Sequence, residues 1–361
     1  MVKCNVCFLA ATICTSSDEY LTKWFVYVSG ENVELAKAEV YSLLRSVLSD
    51  VRIDWIERLA IIESAISISE FILDRAALTQ RAGRIIYEAD SVESLRAKES
   101  SNIWRCLMTS RDTFSIKILC VGTNIESEKR NQLERDLGAH IKTAAGANVD
   151  LRNAAKQILV ILTDENVLIC LSNDSKLRID LKDREPGKKP FFHPSMMNSK
   201  LARVMCNLVQ VKKGEVMLDP FCGGGGILCE ASYLGAFVIG LDLNWKLLTG
   251  ARMNLREIGH KYSIIQADAQ HIPISSVDCI VTDPPYGRSS STRGGQSIKL
   301  IETMLERIDS IIDSREERVC ICGDAEMNLP RLVEDCGLLI GLDFKMRVHS
   351  GLVREIVTIK V

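Results

Sequence analysis

The tetrapeptide Asp283-Pro284-Pro285-Tyr286 follows directly on an apolar run and carries the clearest chemical signal in the chain. An exocyclic amine on a nucleobase is planar because its lone pair is delocalised into the ring, so a catalyst has to hydrogen-bond both N–H groups. The Asp283 carboxylate and the Pro284 carbonyl can do this together, since proline has no N–H of its own. Tyr286 offers a flat surface on which a base can stack. The tetrapeptide predicts methyl transfer to a base amine, although taken alone it also fits a proline turn.

A glycine-rich motif, Asp219-Pro-Phe-Cys-Gly-Gly-Gly-Gly226, runs from a predicted strand straight into a predicted helix. Glycines let the backbone pass close to a ligand, and the start of a helix presents free N–H groups. No Gly-Lys-Ser/Thr follows, so the motif is not a phosphate-binding P-loop. Asp219 favours a cationic ligand such as S-adenosylmethionine, whose ammonium group needs a nearby carboxylate. Cys222, Gly223 and Gly225 are the further cofactor-binding candidates in this loop.

Two more acids follow predicted strands in the same half of the chain. Asp242 ends the second strand, where a carboxylate can accept from both hydroxyls of a ribose. Asp268 ends the third, where it can bind an adenine amino group while the Ala269 N–H reaches a ring nitrogen. With Asp219 and Asp283, four acids end four consecutive strands, the edge at which open α/β sheets bind ligands. Helix capping explains any one of these acids, but it does not explain all four together.

The elements that must position these acids alternate between strands and helices beyond residue 199, as in a parallel sheet covered on both faces. Strands are predicted at 215–218, 237–241, 262–267, 277–282 and 318–322. Helices are predicted at 225–234, 245–258, 297–313 and 327–335. Two final strands, 339–348 and 352–361, flank a short glycine-containing turn. The pattern predicts a sheet of seven strands that closes with an antiparallel hairpin.

The first half of the chain has a different element order. Strands and helices at 24–28, 31–47, 52–56, 59–66, 69–80 and 84–87 follow the βαββαβ order of a ferredoxin-like layer. A second block predicts elements at 92–107, 113–121, 126–144, 157–163 and 167–172. The predicted class is therefore α/β with an α+β N-terminal half. The predicted segments are an extension at 1–21, domains at 22–88, 89–175 and 199–361, and a linker at 176–198.

Composition limits the partners that the chain can have. The 361 residues are 47% hydrophobic and 25% charged with a net charge of -2, as in a globular protein of several domains. A nucleic-acid partner would therefore have to meet a local basic patch. The segment 173–190 is rich in lysine and arginine broken by acids. It fits either a solvated linker or a stretch that lies against a phosphate backbone.

Thirteen cysteines are scattered along the chain, and several lie within apolar strands, as buried thiols do in a reducing compartment. Cys4 and Cys7 form a single CxxC with no second pair at zinc spacing, so no metal site is predicted. The apolar stretch 4–14 is too short to span a bilayer. It reads as part of a loosely packed extension or as a signal peptide. The expected location is the cytoplasm, with no membrane association.

These motifs resemble those of the THUMP-containing tRNA guanine-N2 methyltransferases, among the class I, Rossmann-like enzymes that use S-adenosylmethionine. The closest likeness is to the archaeal members, which modify guanosine 10. It is carried by Asp219-Pro-Phe-Cys-Gly223, Asp283-Pro-Pro-Tyr-Gly287, Phe191-Phe-His-Pro-Ser195, Lys200-Leu-Ala-Arg203 and Arg347-Val-His-Ser-Gly-Leu-Val-Arg354. In the first half, the segments 114–117 and 146–170 are similar to a THUMP core. This similarity identifies the block 89–175 as a THUMP domain. Two positions depart from the pattern: Gly224 stands where threonine is common, and Gly351 stands where a bulkier residue is usual.

The resemblance implies methylation of the N2 amine of a tRNA guanosine, at position 10, with one or two methyl groups added. Asp283, Pro284 and Tyr286 are the catalytic candidates, and Pro285, Tyr286 and Gly287 the substrate-binding candidates. An adenine-N6 or cytosine-N4 methyltransferase stays open, since those enzymes use a similar tetrapeptide. So does a THUMP protein that binds RNA without catalysis.

The resemblance also bears on partners and on the end of the chain. The expected partners are tRNA and a small zinc-containing activator subunit, and the chain is otherwise expected to be a monomer. His349 and Arg354 lie in the matching C-terminal stretch. A surface or hairpin-packing role suits both of them as well as a role in the site.

Overall fold

A computed structural model describes residues 21–96, 101–173, 179–286, 294–312, 316–349 and 351–361. The chain divides into two units. The first comprises 21–31, Asp50–Asp74 and 79–173, and the second comprises Asn32–Ser49, Arg75–Leu78 and Ile179–Val361. Two short segments from the first 80 residues therefore belong to the unit that holds the C-terminal half of the chain.

Strands and helices are numbered in chain order. The strands are β1 Thr22–Val28, β2 Ile53–Ile56, β3 Leu59–Ser64, β4 Thr79–Ala89, β5 Thr113–Cys120, β6 Asn148–Val149, β7 Lys156–Leu162, β8 Val167–Ser172, β9 Val216–Asp219, β10 Phe237–Asp242, β11 Tyr262–Gln266, β12 Cys279–Thr282, β13 Glu317–Asp324, β14 Leu339–His349 and β15 Leu352–Lys360. The helices are α1 Val33–Arg45, α2 Ser69–Arg75, α3 Ser101–Leu107, α4 Ser127–Ala145, α5 Ser199–Leu208, α6 Gly226–Tyr233, α7 Trp245–Ile258, α8 Gly294–Ile311 and α9 Leu329–Asp335.

The first unit is built on one sheet with the strand order β2-β3-β1-β4-β8-β7-β5-β6. Strand β4 pairs antiparallel with β1 on one side and β8 on the other. The strands of the predicted ferredoxin-like layer and those of the second block therefore share a single sheet. Helix α4 ends at Gly146, whose φ of 73° lies in the left-handed region that glycine adopts without strain.

Two predicted helices in the first half differ from those observed. The helix predicted at 69–80 ends at Arg75, because the chain enters strand β4 at Thr79. The helix predicted at 92–107 is a 3-10 turn at Glu93–Arg96 and helix α3, with 97–100 outside the described residues.

The second unit contains a seven-stranded sheet with the order β11-β10-β9-β12-β13-β15-β14. The strands from β11 to β13 are parallel, and β15 is antiparallel to both β13 and β14. The predicted seven-stranded sheet with a final antiparallel hairpin is confirmed. Its apolar core lies where helix α8 packs on the sheet, with Ile301, Leu305 and Ile308 almost completely buried.

Helix α5 was not predicted from the sequence. Its first turn is capped by the Asn198 side chain, which accepts from the Leu201 N–H at 2.8 Å. All of its residues except the partly buried Lys200 are buried, including Arg203 and Asn207. Its apolar residues Leu201, Val204, Met205 and Leu208 follow the helical spacing i, i+3, i+4 and i+7, so the sequence did carry a signal for this helix.

A buried carboxylate links helix α1 to other segments of the second unit. Glu39 is fully buried and accepts hydrogen bonds from the backbone N–H groups of Ala77 and Leu78 and from the Asn207 Nδ2, each at 2.8 Å. Burial raises the pKa of Glu39, and these three donors oppose that rise. The network joins α1, the segment 75–78 and α5.

The described part of the predicted linker, 179–198, packs on the second unit. Leu181 and Pro186 are buried, and the Ser199 hydroxyl donates to the Arg184 carbonyl. The Arg184 guanidinium lies over the Tyr233 ring, 4.0 Å from its centroid. In the described part of the chain, no helix is both long and apolar enough to cross a membrane.

Candidate active site

Four carboxylates lie along one edge of the seven-stranded sheet. Asp268, Asp242, Asp219 and Asp283 stand at or just beyond the carboxyl ends of β11, β10, β9 and β12, which are neighbours in that order. These strands are parallel, so the four residues come to the same edge. The four acids are spaced along the sequence because a helix or a short connection separates each strand from the next, and each new strand lies beside an earlier one.

The glycine-rich loop is fixed between β9 and α6 by its own backbone. The Cys222 N–H donates to the Leu241 carbonyl at 2.9 Å, and the Gly225 N–H donates to the Cys222 carbonyl at 2.8 Å. Gly225 has a φ of 83°, which places it in the left-handed region as the residue before helix α6. The Gly223 N–H donates to Asp242 Oδ2 at 3.0 Å. The acid at the end of β10 therefore holds the loop that follows the neighbouring strand β9. Cys222 itself is buried.

Asp219 is buried and hydrogen-bonded at one oxygen. Its Oδ1 accepts from the Thr282 hydroxyl at 2.7 Å and from the Phe221 N–H at 3.1 Å. Burial raises the pKa of Asp219 to about 7, against these two hydrogen bonds, and the charges of Asp283 and Asp242 raise it further. None of the described groups with a resolved effect on this pKa is a cation. The site thus holds a carboxylate that is ready to receive a positively charged group.

Asp242 and Asp268 lie on the other side of the loop, near an exposed leucine. Leu243, directly after Asp242, is 65% exposed, and its carbonyl accepts from the Gln266 side chain at 2.9 Å. Asp268 Oδ1 accepts from the Gln270 N–H at 2.9 Å and caps a 3-10 turn that begins at the buried Ala269. Leu243 was not among the predicted site residues, because an exposed leucine after a strand has no sequence signal of its own.

The tetrapeptide lies just beyond β12. Pro284 is buried and Pro285 is exposed, and Gly287 lies outside the described residues. The Tyr286 hydroxyl donates to Asp283 Oδ1, and its ring packs against the main core of the unit. Tyr286 is only partly buried, and the stacking of a base on its ring stays a prediction.

Arg354, whose role the sequence left open, reaches the tetrapeptide from strand β15. Its Nη2 lies 3.7 Å from Asp283 Oδ2, and the two side chains are 14% and 15% exposed. Burial raises the pKa of Asp283 to about 6, and the Arg354 charge opposes that rise. His349 instead lies exposed near the hairpin turn, where its Nδ1 accepts from the Gly351 N–H at 3.1 Å.

The segment 191–198, which precedes α5, is held against the glycine-rich loop by hydrogen bonds and packing. Asn254 on α7 donates from Nδ2 to the carbonyls of Phe191 and Gly224, at 3.1 and 2.9 Å, and accepts from the Phe191 N–H at 2.9 Å. The Phe191 ring fills a notch at Gly250, where an added Cβ would lie 2.1 Å from the ring. A Cβ on Gly224 would lie 2.7 Å from the Met196 sulfur. Glycine at 224, where the sequence pattern departs, therefore makes room for Met196.

Together these features place four carboxylates, the glycine-rich loop and the tetrapeptide at one edge of the sheet. The structure brings seven predicted cofactor residues and the tetrapeptide to one sheet edge. Thr282, Asn254 and Leu243 were not predicted as site residues.

Comparison with known proteins gives a consistent result. The family model of the UPF0020, RMKL-like, methyltransferase domain matches residues 186–355. A tRNA (guanine(10)-N2)-dimethyltransferase of Methanothermobacter thermautotrophicus is 33% identical over 338 residues, covering 92% of this chain and 97% of that protein. A protein of the same description from Methanocaldococcus jannaschii is 28% identical and covers 91% and 97% of the two chains. The crystal structure of TrmN from Thermus thermophilus shares the fold, with a TM-score of 0.56 at 18% identity, covering 94% of this chain and 99% of that one.

Proposed function

The chain belongs to the family of the archaeal tRNA (guanine(10)-N2)-dimethyltransferases, and on that premise we propose that it methylates the N2 amine of guanosine 10 in tRNA. It is an S-adenosylmethionine-dependent methyltransferase that acts on guanine N2 in RNA. The observation that carries the proposal is Asp283, which ends β12 on the same sheet edge as three further carboxylates. The position in tRNA follows the relatives' names.

The residues of the sheet edge fit S-adenosylmethionine. Asp219 is a buried carboxylate that suits the ammonium of the cofactor, and Asp242 suits the two ribose hydroxyls. Asp268 and the Ala269 N–H suit the adenine ring. When bound, S-adenosylmethionine supplies a methyl group activated by a sulfonium. The left-handed backbone at Gly223 and Gly225 leaves the loop without side chains at the point where it approaches the ligand.

Asp283 and Pro284 carry the acceptor side of the reaction. The Asp283 carboxylate and the Pro284 carbonyl accept the two N–H groups of the guanine N2 amine, which exposes the nitrogen lone pair. The new N–C bond forms as the bond between sulfur and methyl breaks, and the N2 proton passes to Asp283 and then to solvent. Because the methyl donor is already a strong electrophile, positioning supplies most of the rate enhancement.

The first unit supplies the tRNA-binding part of the proposal. In this proposal the segments 22–88 and 89–175, most of which lie in the first unit, are the ferredoxin-like and THUMP domains that hold tRNA while the target base leaves its stack. Extrusion of a base costs a few kcal/mol. Stacking on Tyr286 offsets part of that cost.

The partner subunit is a separate part of the proposal. A small zinc-containing activator subunit binds the second unit, and the chain alone is a monomer in the cytoplasm. Light scattering of the purified chain tests the monomer. Titration with candidate zinc proteins from the same cell tests whether turnover rises; full turnover by the chain alone would remove the need for an activator.

The proposed activity is tested by nucleoside mass spectrometry. The chain is incubated with S-adenosylmethionine and a tRNA transcript, which is then digested to nucleosides. We expect N2-methylguanosine and N2,N2-dimethylguanosine, and neither product from a matched transcript in which guanosine 10 is replaced by adenosine.

Other products of the same experiment would identify the rival activities. N6-methyladenosine or N4-methylcytidine would place the chain among enzymes that use a similar tetrapeptide on another base. No product, together with no S-adenosylmethionine binding by calorimetry, would leave an RNA-binding protein without catalysis.

A further inference from the structure

Arg354 is the arginine of strand β15 that approaches the reactive acid. Strand β15 pairs with β13, and β13 pairs with β12, so that Arg354 lies opposite Asp324 on the middle strand and extends past it towards Asp283. The Arg354 Nη2 is 3.7 Å from Asp283 Oδ2, and both side chains are largely buried. In the sequence, the helices α8 and α9 and the strands β13 and β14 lie between these two residues.

The ion pair is poorly explained by stability alone. Burying two opposite charges costs desolvation that their attraction offsets only in good geometry, and apolar residues of similar size are often as stabilising. Within the described residues, Arg354 Nε is buried without a hydrogen-bond partner. A hairpin-packing role would be served by an apolar side chain. The position of the guanidinium beside Asp283 therefore calls for a role in the site.

Within the part of the chain that the structure describes, the other groups around Asp283 do not supply positive charge. Tyr286, from the same loop, donates its hydroxyl to Asp283 Oδ1. Cys322, from β13, has its sulfur 3.8 Å from the Tyr286 hydroxyl oxygen. Asp219, from β9, is a like charge, and its own pKa is raised by Asp283. Among the described groups that shift the pKa of Asp283, Arg354 is the one cation.

We propose that Arg354 is a positioning residue for methyl transfer, whose guanidinium keeps the Asp283 carboxylate ionised and fixed in orientation so that the incoming amine meets an acceptor. This inference rests on the proposed function. A neutral Asp283 would carry a proton on one oxygen and could accept fewer hydrogen bonds from the amine. It could also no longer take the N2 proton. Arg354 thus acts on the reaction through Asp283, without contact with the reacting atoms.

The consequence is a shift in pH dependence. Burial raises the pKa of Asp283 to about 6 even with the arginine in place. An opposite charge within about 4–6 Å lowers a carboxyl pKa by about 1–3 units, so its removal raises the pKa by a similar amount. Without Arg354, Asp283 is largely protonated at neutral pH and becomes ionised only in alkaline solution.

The test is the pH profile of single-turnover methyl transfer with the full-length chain, saturating S-adenosylmethionine and tRNA. For Arg354→Met we expect the acidic limb to move up by about 1–3 pH units. The rate should recover towards the wild-type value at alkaline pH. For Arg354→Lys, which keeps the charge, we expect a smaller shift. The matched control is Arg347→Met, an exposed arginine of the same hairpin, which should leave the limb in place.

Several results would overturn the inference. A uniform loss of rate in Arg354→Met at every pH, with the acidic limb unmoved, would show a purely structural role. Unchanged kinetics would show that Arg354 has no role in the reaction. If Arg354→Met does not fold, as judged by thermal unfolding, an unshifted limb and uniform loss in Arg354→Lys would overturn it equally. Wild-type chain that forms no N2-methylguanosine would reject the proposed function itself. Product from the wild type with unshifted variants would reject only the role of Arg354.

Discussion

At the scale of single residues, the carboxylates of the sheet edge differ in their partners. Asp283 is bound by a tyrosine hydroxyl and an arginine, whereas Asp242 accepts two backbone N–H groups, one of them from Gly223 in the glycine-rich loop. Asp219 is buried beside Thr282 with no described cation near it. The proposed function gives these acids different roles, and substitutions can separate those roles.

Substitution of Asp283 and Asp242 should give opposite defects. Asp283→Ala removes the amine acceptor, so methyl transfer to tRNA should fall by about two orders of magnitude or more while S-adenosylmethionine affinity is nearly kept. Asp242→Ala should lose mainly cofactor affinity, because it also releases the Gly223 N–H. Calorimetry measures the affinity and single-turnover kinetics the transfer. Near-normal turnover by Asp283→Ala would contradict its role, and Asp309→Ala, an exposed acid on α8, is the control.

Asp219 makes the stability of the ligand-free protein fall as pH rises, the opposite of the usual effect of a carboxyl group. Its folded-state pKa of about 7 lies above the ordinary value of 3.8, so the folded state holds a proton that the unfolded state has released. Stability therefore falls as pH rises from about 4 to about 7. Asp219→Asn should raise the stability of the ligand-free protein by about 2–4 kcal/mol at about pH 8, and the gain should shrink towards pH 4.

Thermal and urea unfolding of Asp219→Asn and wild type across this pH range measure the effect. The same variant should bind S-adenosylmethionine more weakly, since the amide lacks a charge for the ammonium. A stability difference that does not change with pH would show that Asp219 is not protonated in the folded state.

The residue types in the site were predictable, but their partners were not. Asp219, Asp242, Asp268 and Asp283 each follow an apolar strand, and a periodic sequence displays such positions directly. The proposed role of Arg354 depends on its contact with Asp283, which is distant in sequence. No local pattern encodes that pairing, because it depends on the order in which strands assemble into the sheet.

At the scale of elements, helix α7 holds the segment 191–198 against the glycine-rich loop. The Phe191 ring occupies the notch at Gly250, and Asn254 bonds the backbone on both sides of the contact. The cofactor loop is therefore ordered by a helix and by a segment that the sequence indicated only through its resemblance.

Gly250→Ala should disturb this contact without touching the four acids. The new methyl would lie 2.1 Å from the Phe191 ring, so the ring has to move. Overpacking of this kind costs about 1–3 kcal/mol, and we expect S-adenosylmethionine affinity to fall by roughly 10-fold or more. Calorimetry with Thr249→Ala, an exposed neighbour on the same helix, provides the control. Unchanged affinity in Gly250→Ala would mean that the segment does not order the loop.

The elements themselves were largely predictable, and one exception has a physical cause. The strands of the second unit and helix α7 follow clear periodic patterns. Helix α5 was missed although Leu201, Val204, Met205 and Leu208 follow helical spacing. Helix α2 was predicted too long because residues 76–78 are apolar, whereas the N–H groups of Ala77 and Leu78 donate to the Glu39 side chain. Apolar periodicity identifies a face that is buried, and it fails where a side chain satisfies the backbone.

At the scale of the whole molecule, the catalytic unit includes helix α1 and the segment 75–78 as well as 179–361. Glu39 on α1 and Asn207 on α5 meet in a buried network. Periodic patterns show where elements lie, but they do not show which core each element joins. The break between the two units at 178/179 lies within the predicted linker 176–198, but α1 and the segment 75–78 belong to the second unit as well.

Asn207→Ala should destabilise the catalytic unit, although Asn207 is not one of the four acids of the sheet edge. The substitution removes a donor to the buried Glu39 carboxylate, which costs about 1–3 kcal/mol. Urea unfolding measures the loss, with the exposed Asn153→Ala as the control. A fragment beginning at 179 lacks α1 altogether, and we expect it to unfold at lower urea than the full chain. Equal midpoints for fragment and full chain would show that α1 is dispensable.

The bond between Glu39 and Asn207 also sets an order of events during synthesis. The two residues are 168 positions apart, so the ribosome completes helix α1 well before its partner exists. At about 5–20 residues per second, the wait is on the order of 10–30 s. During that time the nascent chain exposes the face of helix α1 that is later buried in the catalytic unit. A chaperone that binds short apolar helices can bind it in this interval. Rare codons between the two segments would lengthen that interval, and the yield of active enzyme would depend on translation speed.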